Sequence, residues 1–170
     1  MMRIESDIKL DYKDVLIRPK RSTLKSRKEV DLDRTYKFRN SNQTWTGVPI
    51  MAANMDGVGT FEMADVLRNH GMFTCITKQH TAESWRGREK WFRDSVAISV
   101  GTNPKAWDEA KEIIKEHDLN WVCIDIANGY SEHFTDFVKN ARRDFPDINI
   151  IAGNVVTADM TQSLFLQAQM

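Results

Sequence analysis

From Val48 onward, short runs of continuous apolar residues alternate with longer stretches in which apolar positions recur every three or four residues. Runs that are apolar nearly throughout suit strands buried on both faces, and the three-to-four spacing suits amphipathic helices. The pattern predicts strands over 48–53, 72–77, 96–100, 121–126 and 148–152. Helices are predicted between them. The first covers 60–69, with Phe61, Ala64 and Leu67 on one face, and a weaker one covers 82–92. A third opens at Asn103-Pro104, with proline in its first turn, and runs to His117 with Trp107, Ala110, Ile113 and Ile114 aligned. Ser131 is the expected N-cap of a helix over 132–144 striped by Phe134, Phe137, Val138 and Ala141. The last helix runs from 157 to about 168.

Strand and helix in strict alternation indicate a parallel sheet covered by helices. The later strands recur near the ~30 residues of a βαβ unit. No Gly-x-Gly-x-x-Gly turn follows the first strand, since Gly57-Val58-Gly59 lacks the third glycine at the required spacing, which argues against a dinucleotide-binding doubly wound sheet. The reading is an α/β chain holding about the first five βα units of a parallel (β/α)8 barrel. It forms one domain over 1–170, with an N-terminal arm over 1–42 and the βα units over 43–170.

A chain of 170 residues has room for one large domain. Its 24 basic and 24 acidic residues cancel, so no global field favours nucleic acid or an anionic membrane, and any anionic ligand must be recognised locally. The most basic stretch, 18–28, reads as a solvated loop rather than a phosphate site. Two cysteines, Cys75 and Cys123, cannot make a disulfide framework, and both lie in apolar runs, as reduced thiols of a cytoplasmic protein would. The N-terminus has no apolar signal core, and no apolar run approaches the ~20 residues of a membrane span.

Candidate chemistry gathers at the predicted strand ends, where parallel α/β folds collect their ligands. Asp125 closes a strand just before Ala127-Asn128-Gly129-Tyr130; its carboxylate either accepts from ribose hydroxyls or satisfies turn backbone groups. Lys78 follows the second strand, as a cation for phosphate or as an ordinary exposed lysine. His80 reads as a solvated loop histidine with no partner to make it a base. Asn54-Met55-Asp56 and Gly153-Asn154 place compact polar groups after strands, suited to a ligand or to plain βα turns. No metal is expected, because His70, His80, His117 and His133 share no ligand spacing. Both cysteines lie mid-strand, so no catalytic residue is assigned.

Four stretches together resemble GMP reductase: 11–27 (DYKDVLIRPKRSTLKSR), 52–56 (AANMD), 125–134 (DIANGYSEHF) and 152–157 (AGNVVT). The resemblance is in order and extends to about Met160. It implies a (β/α)8-barrel enzyme, usually a homotetramer, that uses NADPH to deaminate GMP reductively to IMP and ammonia, through a cysteine thiolate that attacks the purine. Carried over by motif, Ser26, Arg27, Lys78, Asp125, Ile126 and Ala127 would contact the dinucleotide. Asn54, Met55 and Asn154 would lie near the purine nucleotide. The related IMP dehydrogenases mostly insert a regulatory domain after the second βα unit, and the short stretch from Lys78 to Val96 leaves no room for one.

The family's cysteine-bearing loop, cation site and main phosphate loops would fall beyond Met170, and 161–170 drifts from the family pattern. The expectation is a truncated or frameshifted chain, inactive alone and oligomeric or prone to aggregate. The alternatives are a non-catalytic half-barrel used for binding or association, and an IMP dehydrogenase-like barrel running the oxidative direction.

Overall fold

The computed structural model describes residue 8, residues 10–88 and residues 92–167, with residue 167 as backbone only. The chain divides into two compact units, Met1–Asp31 and Leu32–Met170.

In the first unit, every described residue is exposed and order comes from side chains that bond their own backbone. Asp11 caps a 3-10 turn over Tyr12–Asp14, and the Asp14 carboxylate accepts from the Asp11 N–H in return. Ser26 caps a second turn over Arg27–Glu29 by accepting from Lys28 N–H.

The second unit opens with a hairpin, β1 (Arg34–Lys37) and β2 (Thr44–Gly47), paired antiparallel. The pattern reading passes over it because all four residues of β1 are exposed, so neither face carries an apolar signal. A five-stranded parallel sheet follows: β3 (Met51–Ala52), β4 (Phe73–Ile76), β5 (Val96–Val100), β6 (Trp121–Asp125) and β7 (Asn149–Gly153). The strands lie side by side in chain order, the winding of a barrel; a doubly wound sheet reverses order at a switch point. The chain therefore carries the first five βα units of a (β/α)8-type barrel.

The helices are α1 (Phe61–Arg68), α2 (Ala82–Trp85), α3 (Phe92–Ser95), α4 (Pro104–His117), α5 (Glu132–Asp144) and α6 (Ala158–Gln167). Asn103 caps α4 through Lys105 and Ala106 N–H, and Ser131 caps α5 through Phe134 N–H, as their sequence positions predict. Two expectations change. The first strand contracts to Met51–Ala52, since Pro49 has no N–H to donate to a ladder. The weak helix over 82–92 is two short pieces, α2 ending before Gly87 at φ 74°, with 89–91 outside the described residues.

Alternate residues of each strand face opposite ways, which makes two cores. Outward, Ile76, Val96, Ile98, Val100, Val122 and Ile124 pack under the helices with Phe61, Trp107, Ile113, Phe134, Val138 and Ala141. Inward, Phe73, Cys75, Ala97, Trp121 and Cys123 meet Phe38, Trp45 and Ile151. The hairpin closes the amino-terminal end of the sheet. Phe38 meets Trp121 edge-on at 4.9 Å, and Trp45 meets Phe73 at 6.4 Å. Ser41 donates to Asn149 Oδ1, and Asn149 Nδ2 donates to Gln43 Oε1 at 3.0 Å. With that end plugged, the carboxyl ends of the strands are left for chemistry.

Candidate functional site

At the carboxyl end of β6 the register sets Asp125 opposite Gly153. Backbone pairing continues beyond both strands: Ile126 N–H donates to Gly153 O at 2.9 Å, Asn154 N–H to Ile126 O at 2.8 Å, and Gly129 N–H to Asn154 O at 2.9 Å. This zipper delivers the Asn154 side chain to β6. Its amide donates to Ile126 O at 3.2 Å and, over a longer 3.4 Å, to Asp125 Oδ1. From the other direction, 71 residues away in sequence, Asn54 Nδ2 donates to Asp125 Oδ2 at 3.1 Å.

Asp125 is thus a half-buried carboxylate gripped by one amide on each oxygen. A carboxylate has about four acceptor sites, so two amides orient it and leave capacity for an incoming hydroxyl. Asp125, Asn54, Asn154 and Ile126 are therefore one cluster. Ala127 follows on exposed backbone, with no side chain large enough to screen it. Lys78 is exposed directly after buried Thr77 at the end of β4, and among the described residues its ammonium has no ion pair. Thr77 N–H donates to Gly59 O at 2.9 Å, tying this end of β4 to the turn after Asn54. Met55 is exposed and enters that turn through its carbonyl, which accepts from Val58 and Gly59 N–H. Ser26 and Arg27 belong to the N-terminal unit, where both are exposed and the Ser26 hydroxyl is engaged by Lys28 N–H.

His80 departs from the expected solvated loop residue. Its ring packs 4.4 Å from that of Phe61, and Nε2 is buried without a hydrogen-bond partner. The apolar surface of Phe61 draws the imidazole in. Two further residues, Gly129 and Tyr130 of the 125–134 stretch, hold the site without having been singled out as site residues. A Cβ on Gly129 would lie 2.7 Å from Asn154 O, so only glycine permits the zipper to close there. Tyr130 Oη accepts from Val156 and Thr157 N–H, each at 2.9 Å, and donates to Thr157 Oγ1 at 3.0 Å. The Thr157 hydrogen bond, joined by the Val156 N–H, holds the phenol below its ordinary pKa.

Both cysteines are buried on the inner face, Cys75 on β4 and Cys123 on β6. The influence of the Cys123 thiol, then burial, pushes the Cys75 thiol up. Among the described residues no three His, Cys, Asp or Glu side chains gather as a metal site. No described helix is long and apolar enough to cross a membrane.

The family model described as "IMP dehydrogenase / GMP reductase domain" matches residues 9–169. The chain belongs to the IMP dehydrogenase/GMP reductase family. It is 52% identical to the GMP reductase of Klebsiella pneumoniae over 170 residues, covering 97% of this chain and 49% of that protein. Human GMP reductase 2 is 50% identical, over 98% of this chain and 49% of its own length. The chain thus spans about half the length of the curated relatives it matches. Among solved structures, the inosine 5' monophosphate dehydrogenase of Legionella pneumophila aligns with TM-score 0.71 at 22% identity, covering 91% of this chain and 47% of that one. That likeness shows the barrel fold of the family.

Proposed function

We propose that this chain supplies the first βα units of a GMP reductase, which converts GMP to IMP and ammonia with NADPH. The observation that carries the reading is the Asp125 carboxylate, oriented by Asn54 and Asn154 yet with acceptor capacity to spare. Such a group suits a ribose hydroxyl, the bare backbone at Ala127 admits a flat ligand, and the unpaired Lys78 ammonium suits phosphate. These features fit a dinucleotide. When bound, NADPH supplies the hydride. Asp125, Ile126, Ala127 and Lys78 bind and orient it, while Asn54, Met55 and Asn154 border the purine nucleotide. The working protein in this reading is a cytoplasmic homotetramer, and identities near 50% to GMP reductases support that direction of chemistry.

Neither cysteine serves as the nucleophile, because both are buried mid-strand and Cys75 is held protonated by its neighbour and by burial. The purified chain should therefore consume no NADPH with GMP. Turnover lost in Cys75→Ser or Cys123→Ser would overturn that assignment.

The cofactor assignment is tested in a chimera joining residues 1–160 to the remaining length of the Klebsiella relative, titrated calorimetrically. Losing a hydrogen bond to a charged group costs ~1.5–3 kcal/mol, or roughly 10- to 150-fold. Asp125→Ala and Lys78→Ala should weaken NADPH by that much and leave GMP affinity nearly unchanged, with little effect from His80→Ala. Equal NADPH affinity in all three variants sinks the reading. Faster turnover with IMP and an oxidised cofactor would move the chain to the dehydrogenase side of the family.

A further inference from the structure

We propose, resting on the cofactor reading above, that Tyr130 is a stacking platform for the heterocyclic base of the nucleotide whose ribose Asp125 accepts. The phenol oxygen is spoken for. Oη accepts from Val156 N–H and Thr157 N–H, each at 2.9 Å, and donates to Thr157 Oγ1 at 3.0 Å, which uses its one proton and both lone pairs. Only the ring remains to meet a ligand. At the other end of the residue, Asn128 Oδ1 accepts the Tyr130 N–H at 3.1 Å, so backbone and side-chain tip are both fixed. A ring pinned in this way has little rotamer freedom left to lose when a ligand covers it.

A tyrosine that served only to tie two loops together needs its oxygen and gains by burying its ring. Tyr130 does the reverse. It is 44% exposed, and Val156, whose N–H it accepts, is 90% exposed beside it, so a rigid apolar face stands open at the carboxyl ends of the strands. That face adjoins the amide-carboxylate cluster. Gly129 N–H donates to Asn154 O at 2.9 Å and Asn154 Nδ2 reaches Asp125 Oδ1 at 3.4 Å, which sets the ring one residue from the rung that joins the carboxylate to the β7 loop. Ala127, on the way from Asp125 to the ring, is exposed and carries only a methyl group. A nucleoside has hydroxyls on its sugar and a flat ring attached to that sugar, matching a carboxylate followed by an aromatic face. Stacking tolerates any base because each has a π-face, so the adenine and the nicotinamide of NADPH share the chemistry that the platform recognises.

The test uses the full 170-residue chain, with NADPH uptake measured by equilibrium dialysis and stacking by the fall in absorbance of a heterocycle laid on another ring. A fall in the dihydronicotinamide band assigns that ring to the platform, and a fall in the adenine band assigns the other. Tyr130→Phe and Tyr130→Leu both lose the three hydrogen bonds of the hydroxyl, so any difference between them belongs to the ring. The phenylalanine variant should keep the absorbance change and most of the affinity. The leucine variant should lose the absorbance change and bind NADPH about 5- to 150-fold more weakly, the usual worth of one base stacked on one aromatic side chain. Equal losses in the two variants overturn the proposal, as does a chain that takes up no NADPH or takes it up with both bands unchanged. Asp125→Ala separates this contact from the ribose contact. If that variant binds NADPH as tightly as the parent while Tyr130→Leu does not, the ribose assignment fails and the ring contact stands; the converse result sinks the platform alone.

Discussion

Replacing Gly129 by alanine tests whether the zipper between the β6 and β7 loops holds the site. The added Cβ would stand 2.7 Å from Asn154 O and 3.2 Å from Asn154 C, against an ordinary contact beginning at 3.4 Å. The overlap with that oxygen is therefore about 0.7 Å, and backbone atoms cannot swing aside as a side-chain tip can. The same oxygen accepts the Gly129 N–H at 2.9 Å, and the N–H of the same residue, Asn154, donates to Ile126 O at 2.8 Å. Moving it weakens both bonds, worth about 1 kcal/mol each. Alanine also narrows the unfolded ensemble, which returns roughly 0.4–1 kcal/mol. The net expectation is a loss of about 1–1.6 kcal/mol, read from urea titration by tryptophan fluorescence. Gly101→Ala is the control: nothing lies within 4 Å of its Cβ, so it should be neutral or slightly stabilising. Because Asn154 moves with its peptide, Gly129→Ala should also weaken NADPH binding in the chimera. The reasoning is refuted if the two alanine variants melt within about 0.3 kcal/mol of each other, a difference at the scale of an ordinary surface substitution.

Tyr130→Phe removes the acceptor shared by two backbone N–H groups and should raise hydrogen exchange at Val156 and Thr157; unchanged exchange would show that water satisfies them equally well. In an ultraviolet pH titration one tyrosine should ionise below the usual range, and the early step should vanish in Tyr130→Phe. A lowered folded pKa means that this group's stabilising contribution is complete above the ordinary tyrosine pKa and is lost as pH falls through the lowered one. Phe134→Ala, at a fully buried ring in α5, should cost about 3–5 kcal/mol in chemical denaturation, and a cost under about 1 kcal/mol would contradict the packing described. The sheet has edges at β3 and β7 and bares an apolar inner trough, so sedimentation of the 170-residue chain should show association; a strictly monomeric species with a sharp thermal transition would argue against it.

The local content of the chain was legible without coordinates. Asn103 before Pro104 and Ser131 before α5 announced their helices because a cap is a bond between a side chain and its own next turn. The strands from β4 onward showed as apolar runs because both of their faces are covered. Asp125 stood out as a carboxylate at the end of such a run, and the motifs around it pointed to the family that residues 9–169 match. What β-pairing brings together was not legible. The β1–β2 hairpin is exposed along β1 and owes its place to aromatic contacts with β4 and β6. Asn54 and Asn154 read as ligand or turn residues near a purine nucleotide, and only strand order placed them on either side of one carboxylate. His80 looked solvated until the Phe61 ring was seen beside it. Cys75 and Cys123 looked like isolated core thiols, and only strand order gathers them in one inner cluster with Phe73, Ala97 and Trp121. Sequence determined the elements because helix caps and apolar periodicity act over a few residues. Tertiary structure decided the site because the side-chain bonds that join its strand ends span from 26 to 71 residues, and which strand ends meet depends on register and on how the sheet curls.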